Sequence, residues 1–494
     1  MKDVIVSVDG MDMKSIVDIQ FHKKVNEHGS AVVKCIVDDE AVENLLKIRE
    51  DATWVAIKIG DEGSQTADTT VFAGIISEIS VDNQRGASEA EMKLVGGSIL
   101  LDLKPNTRTY QKEESKLSNI INYIKEHKNN KITGADLKVN CGKGCKDSYK
   151  PEEDLLVQYE ETNYEFLKRC ASMQGVPLIT SIDQADTPVI RIDMGLVAKS
   201  GNDLETKYFK REKQLKEYML AKKHGLTDVT ENDYNVIEVK THEYFNIGDM
   251  VNVAGKSMYV YAADSVYDSS LNTGKSEYNI NKDEFWHTYI LASEKRFSEA
   301  IIYNYDIIGA SLQADVKEVV GDKIKLEVLI DKENKVTAKD NIEFPFSTVY
   351  STNDGTGWYC MPEEKDRVRL YFPTEKEKDA YVISAVHLEE NNKLRNDPEK
   401  KFIMNKYKKM VQFTKDAITI TNNDGMTIEL NDSKGISIIS DKDINMSAGK
   451  DVNITSKKKE VNVSGKSSVN VKQGSSAYIE LKGTATIKGT QVKM

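Results

Sequence analysis

Apolar and polar residues alternate along most of the chain, and that period of two predicts strands. It is clear in VIVSVDG (4 to 10), VVKCIVDD (32 to 39), VFAGIISEISV (71 to 81) and DMVNVAG (249 to 255). Two stretches change to a helical period. KLSNIINYIKEH (116 to 127) spaces Leu117, Ile120, Ile121 and Ile124 on one face, and NYEFLKRCASM (163 to 173) does the same with Tyr164, Leu167, Cys170 and Ala171. Residues 1 to 285 therefore predict an α+β region with strands in the majority. From 286 to 390 short strands recur, as in ASLQADVKEVV, KIKLEVLID, DRVRLYFP and DAYVISAVHL, separated by turn-rich segments such as STNDGTG. That pattern predicts a small barrel or a sandwich, with an oligonucleotide/oligosaccharide-binding (OB) type barrel as the natural candidate.

A charged connector follows, EENNKLRNDPEKKF (389 to 402), and beyond it the period changes again. Apolar pairs fall at Ile418/Ile420, Ile428/Leu430, Ile436/Ile438, Ile444/Met446, Val452/Ile454, Val461/Val463, Val469/Val471 and Ile479/Leu481, with Ile487 alone at the end. Successive first members are 10, 8, 8, 8, 9, 8, 10 and 8 residues apart. Such a fixed period is the signature of a solenoid. An i, i+2 pair points both side chains to one face of a short strand, and the intervening Ser, Gly, Lys and Asp residues turn the corner to the next.

No octet is stable alone. Two buried aliphatic side chains contribute about 3 to 6 kcal/mol, whereas ordering eight backbone residues costs about 8 to 16 kcal/mol. Hydrogen bonding to strands above and below must supply much of the difference. Either one chain coils on itself, or three chains wind together and each supplies one wall of a triangular prism. The octet count allows only a stub of self-coiled turns, so the trimer is the better expectation.

Composition narrows the function. A chain of 494 residues suggests about three domains. With 30% charged residues, no apolar run is long enough for a membrane helix. The N-terminus carries acids where a signal peptide would be apolar, so synthesis in the cytoplasm without an export signal is expected. A net charge of −11 with scattered basic residues argues against nucleic-acid binding. Five cysteines are too sparse and odd in number for a disulfide framework, and Cys141 and Cys145 in NCGKGCKD lack further ligands for a metal knuckle. Neither a metal nor a cofactor is expected.

Enzyme motifs fare poorly. Where GKS occurs, the glycine a P-loop needs five residues earlier is replaced by Met250, Ser269 and Glu460. HEYFN (242 to 246) lacks the second histidine of a zinc protease helix, and no G-x-S-x-G elbow is present. His242 and His387 have no evident catalytic partner, and the acid pairs Glu160/Glu161 and Glu363/Glu364 read as solvated surface. No catalytic residue is predicted.

Several segments together resemble the VgrG-type hub and spike proteins of contractile injection systems, a group that includes phage baseplate hubs and tail spikes, tailocins and type VI secretion. FAGIISEI (72 to 79) followed by LLDLKPNTRTYQ (100 to 111) is similar to a hub strand and its L-x-x-x-P-x-x-R-x-Y/F segment. VQYEETNYEFLKRCASMQGVPL (157 to 178) resembles V-Q-Y-x-E-(T/S)-x-x-x-F-L-x-R, and FNIGDMVNVAG with the strands after it resembles the closing barrel of the hub. FPFSTVYSTNDGTGWYCMPEEKDRVRLYFP (344 to 373) resembles the OB domain, and the octets resemble a triangular membrane-piercing β-helix. The loop at 140 to 150 and the charged, helix-prone insertion at 200 to 225 have no counterpart in that pattern.

The resemblance implies a mainly β, multidomain protein. Its hub would span 1–285 as two barrel-like subdomains with helical insertions, its OB-fold domain 286–390, a charged linker 391–402 and a β-helix spike 403–494. The apolar pairs from Ile418 to Ile487 would form the spike core and trimer interface. Implied partners are two further copies of the chain, an inner tube or tube-initiator protein, baseplate wedge proteins, a PAAR (proline-alanine-alanine-arginine) repeat protein on the tip, and the envelope of a target cell. The implied function is a structural, non-enzymatic hub and puncturing needle, working in a virion tail or tail-like particle. A trimeric tail fibre or glycan-binding adhesin is the first alternative, and a spike-borne cell-wall hydrolase the second.

Overall fold

The computed structural model describes residues 2–8, 11–13, 15–46, 53–61, 69–84, 87–127, 135–151, 154–183, 188–197, 201–204, 209–268, 285–333, 340–388, 392–475 and 477–481. The chain divides into two compact units, Met1–Leu388 and Glu389–Met494. The architecture is mainly β, as the alternation predicts.

One largely antiparallel sheet runs through the first unit. From one edge its strands are Phe209–Lys213, Asn235–Thr241, Trp286–Ala292, Lys256–Asp268, Ile16–Lys24, Ser30–Val37, Ala87–Gly96, Thr69–Gln84, Trp54–Asp61, Lys2–Val8 and Met11–Met13. The long strand Lys256–Asp268 is the hinge of this arrangement. It pairs with Trp286–Ala292 on one side and, from Ala262 onward, with Ile16–Lys24 on the other. One sheet thereby serves two cores, the first around Val6, Ile19, Val33, Ile57, Phe72 and Met92, the second around Val236, Val239, Val251, Val260, Tyr289 and Leu291. Strand period explains the division of faces: in Ser30–Val37 the residues Ala31, Val33, Cys35 and Val37 point inward while those between them point out. Burial raises the Cys35 thiol to about 11, which makes it an inert core group at neutral pH.

Both predicted helices form a third core with strands Asn106–Gln111 and Leu155–Glu161. Helix Leu117–His127 buries Leu117, Ile120, Ile121 and Ile124, and helix Asn163–Ser172 buries Tyr164, Leu167, Cys170 and Ala171. The second starts at a capping box. The Thr162 hydroxyl accepts from the Glu165 amide, and the Glu165 carboxylate accepts from the Thr162 amide. The insertion at 200 to 225 is only partly helical. Phe209–Lys213 joins the edge of the sheet, and Leu215–Lys223 is a helix with no buried residue.

The expected hub boundary at residue 285 is displaced. Trp286–Ala292 pairs on both sides inside the hub sheet, and its His287, Tyr289 and Leu291 are buried there. The strands of the next domain begin only at Ser311. They are Ser311–Val320, Lys323–Val328, Glu343–Pro345, Arg367–Tyr371 and Tyr381–Ile383, and a parallel bridge from Phe346 to Val382 joins the edge at Glu343–Pro345 to the edge at Tyr381–Ile383. The choice left open between barrel and sandwich thus falls to a closed five-stranded barrel around Ala314, Ile324, Leu326, Val368, Leu370 and Val382. Leu155 and Val157 of the hub complete that core, so the barrel is seated on the hub strand.

A buried carboxylate also fixes the barrel to the hub. Asp331 accepts from the Thr109 amide at 2.8 Å and from the Thr109 hydroxyl. Burial raises its carboxyl to about 7, against the pull of the two Thr109 hydrogen bonds. The folded state therefore holds a proton that the unfolded chain, titrating near 4, gives up. Stability contributed by this group is present at low pH and is lost as pH rises from about 4 to about 7. Asp331→Asn should remove that dependence: urea midpoints of the two proteins should be similar near pH 4, and the variant should be the more stable at pH 8. Parallel pH profiles would show that folding does not raise the Asp331 carboxyl.

Candidate assembly face

The second unit is built from hairpins. Strands Lys401–Met404, Met410–Phe413, Ala417–Thr421, Thr427–Asn431 and Gly435–Ile439 form an antiparallel meander in chain order. Three of its reversals have a common device. Asn405, Asn422 and Asn431 each close a turn by accepting, through the side-chain oxygen, from backbone amides two to four residues ahead. Gly435 completes the last turn at φ +86°, a conformation that a β-carbon disfavours.

Register then stacks the apolar pairs. Ile418 lies opposite Leu430, which lies opposite Ile436; Ile420 lies opposite Ile428, which lies opposite Ile438. Two apolar columns result, on one face of the sheet, with directly opposed Cβ atoms about 4.5 to 5.5 Å apart. The columns extend further than the predicted pairs. Phe413 opposes Ile418, Val411 opposes Ile420, and Ile403 opposes Val411. The i, i+2 pair Val411/Phe413, seven residues before Ile418, is the signal that would have found them.

This face has no cover within the described unit. Ile418 and Ile420 are 41% and 48% exposed, and Ile436 reaches 72%. The opposite face carries Gln412, Thr419, Glu429 and Ser437 in one row. The opposite face is polar along that row and carries Phe402, Met404, Met410 and Ile439 toward its margins; the apolar columns are the side left open to solvent.

Beyond Ile439 the chain forms no strand until Val469. It carries Ile444, Met446, Val452, Ile454, Val461 and Val463, all at least half exposed, and makes no backbone–backbone hydrogen bond with another described residue. Val469 and Val471 oppose Leu481 and Ile479 in a terminal hairpin, Val469–Gln473 with Ala477–Leu481. The side chain of Leu481 and the whole of Ile487 lie outside the described residues.

A uniform octet coil from residue 403 is thus not what forms. The Asn-led loops reverse the chain, so 401–439 is a meander whose first strand starts inside the expected linker. From 440 to 468 no strand forms.

The hub segments singled out in the sequence also gain a physical role. Arg108 Nη1 donates to Gln158 Oε1 at 3.2 Å and to Asn163 Oδ1 at 3.1 Å. Arg169, fully buried, meets Glu161 through Nε and Nη2, both at 2.8 Å, and Glu377 of the barrel through Nη1 at 2.8 Å. In this chain those residues form a buried polar frame.

Among the described residues no helix is long and apolar enough to cross a membrane, and no group of three His, Cys, Asp or Glu side chains is placed to hold a metal ion. The fold and the uncovered face define a class: a multidomain β protein with a strand-rich tail that leaves an apolar face open. The chain matches no protein-family model and no curated protein sequence. Solved structures do resemble it. A Francisella PdpA–VgrG complex, half-lidded, aligns over 89% of this chain and 88% of its own with a TM-score of 0.56 at 10% identity. A lidless PdpA–VgrG complex gives 0.55 at 9% identity over 89% and 98%. The E. coli c3393 protein, a type VI secretion component similar to the T4 phage tail proteins gp27 and gp5, gives 0.50 at 11% identity over 77% and 99%. The fold is the VgrG-type hub and spike fold.

Proposed function

We propose that this chain is the hub and spike subunit of a contractile injection system and works as a homotrimer. Three copies of the meander would turn their apolar columns toward a common axis, each forming one wall of a prism. The segment 440–468 would take its backbone partners from the other two chains, with the octet pairs inward. The hub would join an inner tube and baseplate proteins, and the barrel, which follows the hub in the chain, has a strand order that suits the OB-type collar. A PAAR-type protein would cap the open strand edges at the tip. Sheath contraction would supply the work, and the spike would transmit it to the target envelope through stiffness rather than catalysis.

One observation carries this reading: an apolar face several strands wide is exposed, followed by a segment with no backbone–backbone hydrogen bond to another described residue. Exposed contiguous apolar surface marks an interaction site, and a strand with open backbone groups is a template for another chain. Light scattering on the purified full chain should give three times 55.5 kDa. A stable monomer at micromolar concentration would overturn the proposal. Robust peptidoglycan hydrolysis by the same preparation would overturn its non-enzymatic part.

A further inference from the structure

The NCGKGCKD loop is not used by the assembly reading, and its geometry is specific. Strand Asp136–Cys141 runs parallel to Val189–Met194, placing Cys141 beside Met194 at the strand end. The chain then turns back sharply. Gly142 donates to the Met194 carbonyl at 2.8 Å, Lys143 to the Leu196 carbonyl at 2.7 Å, and Cys145 to the Gly142 carbonyl at 3.1 Å. A β-carbon at Gly142 would meet the Leu196 carbonyl oxygen at 2.5 Å, so glycine is required there. Gly144 sits at φ +88°. The Lys143 ammonium is tied to Glu294.

This turn brings the two thiols together. Cys145 Sγ lies 2.9 Å from Cys141 Sγ, and both cysteines are free. Cys141 is exposed, whereas Cys145 is half-buried with its sulfur 3.6 Å from the Gln174 amide. The remaining cysteines are separate cases: Cys35 and Cys170 are buried, and Cys360 is exposed on the barrel.

We propose that Cys141 and Cys145 are a redox pair that a small-molecule disulfide converts to an intrachain disulfide, closing the 141–145 turn. Cys141 is the attacking group because it is the one solvent reaches. Its thiolate displaces one half of the small disulfide as a thiolate and holds the other as a mixed disulfide. Cys145 then gives its proton to solvent and attacks Cys141 Sγ. The mixed S–S bond breaks, the second half leaves as a thiolate, and the protein has lost two hydrogens while one small disulfide has become two thiols. Burial and the neighbouring Cys141 thiol hold the Cys145 proton tightly. The second step should therefore accelerate with rising pH.

The inference stands apart from the trimer reading. Full-length protein incubated with oxidised glutathione, then alkylated, digested and mass-mapped, should yield a peptide linked between Cys141 and Cys145, with titratable thiols in the denatured protein falling by two beyond any lost to a glutathione adduct on the exposed Cys360. Cys145→Ser should instead stop at a stable glutathione adduct on Cys141, and Cys141→Ser should leave Cys145 reduced; circular dichroism checks that both variants fold. Wild-type protein that accumulates only the Cys141 adduct, or links Cys141 to another chain, would overturn the proposal.

Discussion

Ile428→Asp should leave the protein folded and abolish its assembly. Ile428 is in the central part of the uncovered face, with Ile420 opposite it on one neighbouring strand and Ile438 on the other. In a single chain the side chain is 40% exposed. A carboxylate there keeps water, and the loss of two cross-strand apolar contacts costs about 1 kcal/mol or less each. In a threefold needle the same residue would repeat three times around one level of a dry core. Like charges about 6 Å apart repel by roughly 3 kcal/mol per pair at an effective dielectric constant of 20, and each buried carboxylate adds a desolvation penalty of several kcal/mol. No set of ordinary apolar contacts at one level offsets that. Scattering mass should fall to 55.5 kDa, with the far-ultraviolet spectrum of the first unit retained. Ser437→Lys is the matched control, because Ser437 faces away from the apolar columns and stands opposite Glu429. A trimer that survives Ile428→Asp would remove the prism as an arrangement of this face.

What the sequence made legible follows from range. The i, i+2 pairs of the tail and the 3.6-residue spacing of 117 to 124 are local, and each reports the face it occupies. The same local pattern could not distinguish a strand that continues a prism from one that turns back, since both need apolar pairs separated by a corner. That decision lies in Asn405, Asn422 and Asn431, whose side chains replace backbone donors' solvent partners in tight reversals. The hub boundary was illegible for a different reason. Trp286–Ala292 alternates like any strand, and only pairing with Lys256–Asp268 and Asn235–Thr241 assigns it to the hub. Nor does spacing reveal that Cys141 and Cys145 approach each other, because a close turn requires the Gly142 contact with Leu196, more than fifty residues away. The VgrG-type segments were readable as patterns, but the reason for their charged members appears only once Glu161, Arg169 and Glu377 are seen in one buried cluster.

Arg169→Ala should be among the most destabilising single substitutions in the first unit. The side chain is 2% exposed; its guanidinium forks onto both oxygens of Glu161, donates to the Val157 carbonyl at 2.6 Å and reaches Glu377 at 2.8 Å. It also lies 5.2 Å from the centre of the Phe166 ring. Truncation leaves two carboxylates, each with a side chain only 12% exposed, facing one another without a cation. Breaking a buried pair in this way costs about 3 to 5 kcal/mol, a large share of the roughly 5 to 15 kcal/mol that holds a domain folded. Arg169→Lys should recover only part, since a point charge cannot fork onto Glu161 and reach Glu377 together. Glu161 belongs to the hub and Glu377 to the barrel, so the barrel should loosen first: amide exchange in 367–371 should rise before that in 30–37. Adding Glu161→Gln and Glu377→Gln to Arg169→Met should restore much of the stability, because the cost arises from uncompensated charge and not from the absence of an ion pair. If Arg169→Ala costs less than about 1 kcal/mol in urea unfolding, water reaches this cluster and it does not hold barrel to hub.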